Sequence, residues 1–407
     1  MTIKLGLVGT GTVGGGCIDI LQKHKEDFKR HYGIDVELAR VCSRDPKQAE
    51  AHGVSNLFTL DYHDIVNDPD IDIVIELIGG TTVARDVVVS ALEAGKNVVT
   101  ANKALMATHG EEVMHLAEKM NREIAFEASV GGGIPIIDPL KHSLISNEIT
   151  SVMGIVNGTT NYMLTRMVDD NLSYDQALKE AQERGFAEAD PTADVDGFDA
   201  AAKIAILASI AFNSRVTLDD VHTEGIRNIT TLDLDTADDM GYVIKLLAIA
   251  HRTPDGIDVR VHPTMLPKAH QLATVNGVFN AIFVEGNMLG DSMFYGSGAG
   301  KLPTASAVAA DVVDAAKNLG ENLGFYWSGE KLELGDTRDD KRRFLVRVKG
   351  DAKADAAAME ALFGPVEVVD AGVAGEFGFV TGELSEAEYA ERAAKTDAVL
   401  NRIRVEG

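Results

Sequence analysis

A glycine-rich loop follows the first apolar segment of the chain, and this pair of features restricts the possible folds more than any other. The segment IKLGLVG, residues 3–9, is apolar at nearly every position, which predicts a strand buried on both faces, as in a parallel sheet. A helix is predicted from Thr12 to Arg30, and the loop before it has the pattern GxGxxG, formed by Gly9, Thr10, Gly11, Thr12, Val13 and Gly14. Such glycines allow a tight turn and let the backbone approach a pyrophosphate at the helix N-terminus. The loop therefore predicts a Rossmann-type dinucleotide site, and the alternative is an ordinary tight turn.

Strands and helices continue to alternate up to about residue 131. Apolar strands are predicted at DVELARVCS, DIVIELIG and KNVVTAN, with the helix ARDVVVSALEAG between the last two. This order predicts an α/β domain, residues 1–131, built on a doubly wound parallel sheet. Residues 132–335 mix helical and strand patterns, which predicts an α+β domain for substrate binding and dimerisation. Helix 303–320 is expected to pack back on the first domain.

The last part of the chain predicts a separate small domain. After the polar linker GDTRDDKRR, residues 341–407 have the order βαββαβ, which is that of a ferredoxin-like unit. Because the linker is polar, we expect removal of this tail to expose little core. In the middle domain, the strands DVRVHPTML and GVFNAIFVEG predict a sheet face that a second subunit covers. We therefore expect a homodimer or homotetramer.

Composition and charge exclude several classes of function. The chain has 407 residues, enough for two or three domains, and its formal net charge of −25 disfavours binding to nucleic acid. Its two cysteines, Cys17 and Cys42, imply no disulfide framework. No segment has the apolar character of a signal peptide or a membrane span. These properties predict a cytoplasmic enzyme with a small-molecule substrate and no contact with nucleic acid or membranes.

The end of the second predicted strand bears on the choice of cofactor. NAD sites usually place an acidic residue there for the ribose hydroxyls, but this strand ends in Cys42, Ser43 and Arg44. A serine and an arginine suit a 2′-phosphate better, so NADP is the predicted cofactor and NAD the alternative. In the other interpretation, Arg44 is a solvated loop residue with no role in cofactor choice.

Five carboxylates and one lysine are concentrated in GFAEADPTADVDGFDAAAK, residues 185–203. A calcium loop is excluded, because aligning its glycine on Gly197 places Lys203 where a bidentate glutamate is required. A solvated acidic face explains neither the interleaved glycines and proline nor the apolar helix AAAKIAILASIAF that follows. Asp199 and Lys203 are four residues apart on that helix, so the lysine is expected to be partly buried near a carboxylate, as a positioned proton-transfer group requires. Asp190 and Asp196 are expected only to cap and shape the loop.

The spacing of this segment resembles the signature of the homoserine dehydrogenase family. The matching positions are Ala181, Gly185, Phe186, Ala187, Asp190, Pro191, Asp194, Val195, Gly197, Asp199 and Lys203. Other blocks of that family follow one another in order, namely VGTGTVGGG, TANKAL, FEASVGGGIP, NGTTNYML and GAGKLPTASAV, so the resemblance covers about Ile3 to Gly320. It implies an NAD(P)-dependent oxidoreductase that interconverts L-homoserine and L-aspartate 4-semialdehyde, in threonine, methionine and isoleucine biosynthesis.

The resemblance assigns the chemistry to three residues. It implies that Lys203 gives and takes the proton of the reacting oxygen, with Asp199 beside it. Lys103, in the block ANK, would face the nicotinamide and the same oxygen. Lys103 would lie at the end of a sheet strand, where ligands bind in such sheets, and the two cations together would stabilise the developing negative charge. The alternative for Lys103 is a surface lysine at the start of a helix.

The resemblance also implies a substrate site. Glu188 and Asp194 would hold the α-ammonium group, since a desolvated ammonium needs carboxylates, and Gly185 would leave room for the substrate. Asn157 and Thr159 would supply polar groups at a helix start where the α-carboxylate binds. The alternative for Thr159 is that it merely caps that helix.

Two further glycine-rich loops have counterparts in the family. There, the segment EASVGGGIP wraps a monovalent cation, which we expect to be sodium, through main-chain carbonyls, and the matching positions are Glu127, Val130, Gly132 and Ile134. The loop GSGAGK is one residue shorter than a P-loop and continues with Leu302, so it is not one. The resemblance places Gly298 and Gly300 near the cofactor.

The tail resembles an ACT domain, although it lacks the usual Pro-Gly-Val/Leu turn after the first strand, so a regulatory role and a role in assembly both stay open. For the whole chain, the alternatives are another Rossmann amino-acid dehydrogenase and a non-catalytic amino-acid sensor. The presence of Lys103, Asp199 and Lys203 argues against the sensor. An acylating semialdehyde dehydrogenase needs a cysteine nucleophile, but Cys17 lies in the first predicted helix and Cys42 in a strand.

Overall fold

A computed structural model of the chain describes residues 2–254, 256–320, 327–335, 341–369 and 373–406. Residues 336–340, in the predicted linker, and residues 370–372, at the end of a predicted strand, lie outside this range. The chain divides into two compact units. One comprises Met1–Val152, Ala202–Asp220 and Val284–Leu332, and the other comprises Met153–Ala201, Val221–Phe283 and Glu333–Gly407.

The N-terminal part of the first unit is a parallel α/β fold. Its strands are β1 Thr2–Val8, β2 Asp35–Cys42, β3 Phe58–Thr59, β4 Ile73–Glu76, β5 Asn97–Thr100 and β6 Ile124–Ala125. Its helices are α1 Thr12–Tyr32, α2 Pro46–Ala51, α3 His63–Val66, α4 Val83–Glu93 and α5 Lys103–Met120. The strands lie in the order β3-β2-β1-β4-β5-β6, and each pair of neighbours is parallel. This is the doubly wound order of dinucleotide-binding folds, so the predicted fold class is confirmed.

The middle of the chain adds a second set of strands and helices. The strands are β7 Ile149–Ile155, β8 His222–Thr223, β9 Tyr242–Thr253, β10 Gly256–Pro267, β11 Phe279–Gly286 and β12 Gly290–Ser297. The helices are α6 Gly158–Asp169, α7 Tyr174–Glu183, α8 Thr192–Val195, α9 Phe198–Ala211, α10 Thr231–Asp239 and α11 Lys301–Lys317. Strand β9 was not predicted from the sequence. Its run VIKLLAIA is almost wholly apolar, and such a run does not distinguish a buried strand from a buried helix.

The tail folds in the predicted order of elements, with one short additional strand. Its strands are β13 Lys341–Lys349, β14 Val366–Val369, β15 Glu376–Thr381, β16 Leu384–Ser385 and β17 Val399–Val405, and its helices are α12 Ala352–Phe363 and α13 Glu386–Ala393. The antiparallel order β17-β13-β15-β14 is that of a ferredoxin-like unit. These strands continue a mixed sheet with the order β12-β11-β7-β9-β10-β17-β13-β15-β14, in which β8 pairs with β10 and β16 with β13.

The tail is joined to the rest of its unit by strand pairing. Strand β17 runs parallel to β10, with Thr264 opposite Arg404 and Met265 opposite Val405. Arg404 is buried at this junction. The expectation that removal of the tail exposes little core is therefore wrong, since a polar linker says nothing about strand pairing formed elsewhere in the segment.

Helix α11 packs on the parallel sheet of the first unit, where Val308 belongs to the same hydrophobic cluster as the strand residues of β1 and β4. It crosses α1 closely at Gly16, where an added Cβ atom would lie 2.8 Å from the Lys301 carbonyl oxygen and 3.0 Å from Ala305 Cβ. Lys301 Nζ forms an ion pair of 2.8 Å with Asp19 on α1. The lysine of the GSGAGK loop is thus part of a helix–helix contact.

Both cysteines are buried free thiols. Burial raises the pKa of Cys17 to about 12, and burial together with the charge of Asp61 raises that of Cys42 to about 11. Thiols with such pKa values are protonated near neutral pH, so neither is an activated nucleophile. In the part of the chain that the structure describes, no helix is long and apolar enough to cross a membrane.

Candidate active site

A cavity of about 580 Å³ opens at the carboxyl ends of β1, β2 and β4. It is lined by part of the glycine loop and by the two residues that follow β2, namely Gly9, Thr10, Gly11, Ser43 and Arg44. The other predicted residues of the loop, Thr12, Val13 and Gly14, form the first turn of α1 and do not line this cavity. We call it the nucleotide cavity.

The three glycines of the loop differ in what requires them. Gly9 has φ +106°, and a Cβ atom there would lie 2.6 Å from the backbone of Leu77. A Cβ atom at Gly14 would overlap the carbonyl oxygen of Gly9, so both glycines are required by the packing of the chain itself. At Gly11 a Cβ atom would meet no protein atom within 4 Å. The open space at Gly11 fits the close approach of a pyrophosphate, which is the part of a dinucleotide that this loop type binds.

The far end of the nucleotide cavity is basic and hydroxylated. Arg44 is exposed on its rim, and Ser43 Oγ donates a hydrogen bond of 3.0 Å to the Asp45 carbonyl. The Asp45 carboxylate also borders the cavity, but it caps α2 by accepting the Lys47 backbone N–H at 3.0 Å. One oxygen of the Asp45 carboxylate is used by this cap.

A second cavity of about 350 Å³ contains both predicted catalytic lysines, and we call it the lysine cleft. Its lining includes Lys103, Lys203, Gly132, Gly298 and Gly79, of which Gly79 also lines the nucleotide cavity. No carboxylate is among the described residues that line it. Two cationic side chains therefore line one cleft beside the nucleotide cavity, an arrangement suited to stabilising negative charge on a substrate oxygen.

Each lysine is held by its secondary structure. Lys103 is the first residue of α5, and Asn102 caps that helix by accepting the Leu105 backbone N–H at 3.1 Å. Lys203 lies in the apolar helix α9 with only 9% of its surface exposed. The predicted cofactor residue Gly300 lines neither cavity. It precedes α11 with φ +121°, where glycine is favoured.

The second unit contains a compact polar cluster at the start of α6. The side-chain amide of Asn157 donates to Asp194 Oδ1 at 2.7 Å and to Asp199 Oδ2 at 2.9 Å, and all but Asp194 are buried. Asn157 is also the N-cap of α6, since its Oδ1 accepts the Thr160 backbone N–H at 2.9 Å. Capping by Thr159, the alternative raised from the sequence, is therefore wrong. The Thr159 hydroxyl instead donates to the Phe186 carbonyl at 2.7 Å and so fixes the acidic loop.

The remaining carboxylates of the acidic loop have distinct surroundings. Asp190 accepts the Thr192 backbone N–H at 3.1 Å, and Asp196 forms an ion pair with Arg227, so both shape the loop as predicted. Glu188 is exposed, and its segment is held by a hydrogen bond from Gln182 to the Glu188 carbonyl. Gly185 has φ +74° with no protein atom within 4 Å of an added Cβ, so space is open beside it.

The segment predicted to hold a cation is ordered by Glu127. Its carboxylate accepts the backbone N–H groups of Ile136 at 2.6 Å, Ile137 at 2.9 Å and Asp138 at 2.6 Å. Burial raises the pKa of Glu127 in spite of these three donors.

The carbonyl groups of this segment are the atoms that would meet the cation. Val130, Gly132 and Ile134 are buried, and their carbonyl oxygens accept no hydrogen bond from the described residues. Unsatisfied buried carbonyls suit a hard cation. Among the described residues, no group of three or more His, Cys, Asp or Glu side chains could hold a metal ion, and main-chain oxygens are the candidate ligands at this segment.

One residue behind this site was not predicted from the sequence. Glu76, at the end of β4, is completely buried and accepts the backbone N–H groups of Ile78 and Gly79, and Gly79 lines both cavities. A carboxylate inside the apolar run DIVIELIGG was a signal that could have been noticed, because a buried charge needs dedicated partners.

The parallel fold, the glycine loop, the nucleotide cavity and the lysine cleft are those of an NAD(P)-dependent oxidoreductase. Comparison with known proteins identifies the family. Residues 9–127 match the family model described as homoserine dehydrogenase, NAD binding domain, and residues 135–313 match the one described as homoserine dehydrogenase. A curated homoserine dehydrogenase from Bacillus subtilis is 46% identical over 318 residues, which cover 78% of this chain and 73% of that protein.

Solved structures agree with this result. A homoserine dehydrogenase from Thiobacillus denitrificans superposes with a TM-score of 0.92 at 37% identity, covering 100% of this chain and 98% of that one. A hyperthermophilic archaeal homoserine dehydrogenase mutant, solved in complex with NADPH, has a TM-score of 0.67 at 28% identity, covering 78% of this chain and 98% of that one. The chain belongs to the homoserine dehydrogenase family. Its activity is the reversible oxidation of the CH–OH group of homoserine to the aldehyde of aspartate semialdehyde.

Proposed function

We propose that Lys203 transfers the proton and that Lys103 stabilises the charge on the reacting oxygen during homoserine oxidation, with NADP as the preferred cofactor. The observation that carries this proposal is that both lysines line one cleft to which the described residues contribute no carboxylate. When bound, the nicotinamide supplies the hydride acceptor. The hydroxyl of homoserine loses its proton to the Lys203 amine as its carbon loses hydride, and in the reverse direction the Lys203 ammonium returns that proton to the alkoxide.

Lys103 has a different part in the same reaction. Its position at the first turn of α5, behind a sheet strand, directs a cation at the cleft from a rigid element. A fixed ammonium group there favours the state in which the oxygen carries negative charge. Asp199, four residues before Lys203 on α9, keeps the lysine positioned and balances its charge.

The substrate is held through its ammonium and carboxylate groups. Asp194 and the exposed Glu188 bind the α-ammonium, and the open space at Gly185 accommodates the substrate backbone. Asn157 and Thr159 act by fixing the site, since their side chains are engaged with Asp194 and with the Phe186 carbonyl.

The preference for NADP rests on Ser43 and Arg44 at the rim of the nucleotide cavity. The NADPH complex of the archaeal relative supports it. NAD is accepted as the weaker cofactor. A sodium ion is proposed at the main-chain oxygens of Glu127, Val130, Gly132 and Ile134, where it stabilises the loop without taking part in proton transfer.

Three broader features complete the proposal. The tail is an ACT-like module, supported by its ferredoxin-like strand order. The chain forms a homodimer or homotetramer. This is supported by two exposed apolar side chains, Tyr295 on the edge strand β12 and Met288 just before that strand. The enzyme is cytoplasmic, supported by its two free buried cysteines.

The experiment is homoserine-dependent reduction of NADP and NAD by the wild type and by Lys103→Ala. We expect the variant to lose about 10²- to 10³-fold in kcat, as enzymes do when a stabilising cation or donor at the oxyanion is removed. The matched control is Lys96→Ala, which removes a buried lysine of the same unit that donates to the carbonyls of Asp68 and Ile71. The control should lower stability and keep kcat. Equal kcat in Lys103→Ala and wild type would contradict the proposal.

A further inference from the structure

Glu76 presents an unusual combination of charge and burial. It is the last residue of β4, its exposed fraction is 0%, and the strand residues before it are apolar. A carboxylate in such a place is costly unless it is fully hydrogen-bonded. Its Oε1 accepts the backbone N–H groups of Ile78 at 2.8 Å and Gly79 at 3.2 Å, and its Oε2 accepts the Thr100 hydroxyl at 2.7 Å.

The hydrogen bonds continue from Thr100 to the start of α5. Thr100 Oγ1 accepts the Asn102 backbone N–H at 3.0 Å. The Asn102 side chain then donates to the Gly80 carbonyl at 2.7 Å and accepts the Leu105 N–H at 3.1 Å. The network therefore joins the turn after β4 to the end of β5 and to the N-terminus of the helix on which Lys103 is the first residue.

The turn itself contains two consecutive glycines with positive φ. Gly79 and Gly80 have φ values of +74° and +76°, and an added Cβ at either would meet no protein atom within 4 Å. Both glycines line the lysine cleft. A di-glycine turn has many accessible conformations, so the three acceptor and donor contacts of Glu76 and Asn102 are what select one of them.

We infer that Glu76 is a positioning residue for catalysis, which sets the place of Lys103 through Thr100 and Asn102. The inference rests on the proposed role of Lys103. The competing explanation is that Glu76 only stabilises the fold, as buried polar networks commonly do. The two explanations predict different results. A residue that acts through Lys103 loses its effect on turnover when Lys103 is absent. A residue that only stabilises the fold changes the melting temperature and leaves turnover unaltered.

The test measures kcat for homoserine oxidation with saturating NADP, and the melting temperature, for four single variants and one double variant. Glu76→Gln retains an acceptor for the turn but places an NH₂ group against the Thr100 hydroxyl. Thr100→Val removes that hydroxyl with little change of shape and covers the case in which Glu76→Gln does not fold. The matched control is Asn97→Ala, on the opposite end of β5, which removes a buried side chain bonded to the Ala315 carbonyl and the Glu123 N–H. Lys103→Ala, alone and combined with Thr100→Val, completes the set.

We expect Glu76→Gln and Thr100→Val to lower kcat about 10- to 100-fold, because small displacements of a catalytic group cost rate steeply. Asn97→Ala should lower the melting temperature with kcat unchanged. In the Lys103→Ala background, Thr100→Val should reduce kcat by less than about twofold, since groups that act as a unit are not additive. The inference would be overturned if Thr100→Val lowered kcat as much in the Lys103→Ala background as in the wild type. Wild-type kcat in the folded Thr100→Val variant would overturn it too. Wild-type kcat in Lys103→Ala alone would overturn the role of Lys103 and the inference with it.

Discussion

The side-chain amide of Asn157 donates a hydrogen bond of 2.9 Å to Asp199 Oδ2, and both residues are buried. The same amide donates to Asp194, so one neutral side chain separates two carboxylates. Asn157→Asp keeps the shape and replaces the donor by a third carboxylate. We expect kcat/KM for homoserine to fall about 10- to 100-fold, because loss of a buried donor and a like-charge contact cost a few kcal/mol.

The chain offers a matched control for this substitution. Asn401, in the same unit, donates through its amide to Asp233 Oδ2 at 3.0 Å. Asn401→Asp should lower the free energy of unfolding and keep kcat/KM. A similar loss of kcat/KM in both variants would show that Asn157 matters for stability and has no specific part in the site.

Cofactor choice should depend on Arg44. Removal of its guanidinium in Arg44→Ala should raise KM for NADP about 10- to 100-fold, the range for loss of a hydrogen bond to a charged group, and leave KM for NAD almost unchanged. Lys47→Ala is the control, because Lys47 is an exposed cation nearby that does not line the nucleotide cavity. Equal changes for both cofactors in Arg44→Ala would mean that Arg44 does not recognise the 2′-phosphate.

The tail should be required for a stable second unit. Deletion of residues 341–407 removes β17, the parallel neighbour of β10, and it removes Arg402 and Arg404, which pair with Glu224. We expect the shortened chain to lose its cooperative thermal unfolding transition and its activity. Recovery of an active chain with a cooperative transition would contradict the structural role of this strand pairing.

The same junction predicts a dependence of stability on pH. Burial raises the pKa of Glu224, but hydrogen bonds from His222 and Arg404 and the charges of Arg404 and Arg402 outweigh it, so the net pKa lies well below its ordinary value of 4.5. A lowered carboxyl pKa stabilises the folded state above pH 4.5, and this stabilisation is lost as the pH falls below that value.

Urea unfolding of the wild type and Glu224→Gln measures this effect. Near pH 7 the wild type should have the larger free energy of unfolding, and the difference should shrink at about pH 3, because protonation then neutralises Glu224 in the unfolded wild type first. A difference that is independent of pH would mean that the carboxylate charge of Glu224 contributes nothing.

Much of the fold could be predicted because local patterns and tertiary structure agree in the first third of the chain. The apolar strand before Gly9 and the spacing of the loop glycines are local features, and they specify the parallel sheet directly. Strand β9 could not be recognised, since both of its faces are buried and its pattern lacks alternation. The pairing of β17 with β10 joins segments far apart in the chain, and no local pattern encodes it.

The residues of the candidate site show the same difference between local motifs and long-range contacts. Lys103 and Lys203 lie in contiguous motifs and could be named as candidates from the sequence, and both line the lysine cleft. The contacts of Thr159 with Phe186 and of Glu76 with Thr100 could not, because each depends on which loops the fold brings next to each other. The N-cap of α6 is a further example. Asn157 and Thr159 are both chemically able to cap a helix, and only the backbone conformation selects Asn157.

Proton transfer by Lys203 is tested by kcat of Lys203→Ala for homoserine oxidation at saturating NADP and homoserine, with NADP binding measured in parallel. We expect a loss of about 10²- to 10⁴-fold in kcat, the range for removal of a general acid–base, with the dissociation constant of NADP unchanged. Near-normal kcat in a folded Lys203→Ala enzyme would mean that Lys203 does not transfer the proton.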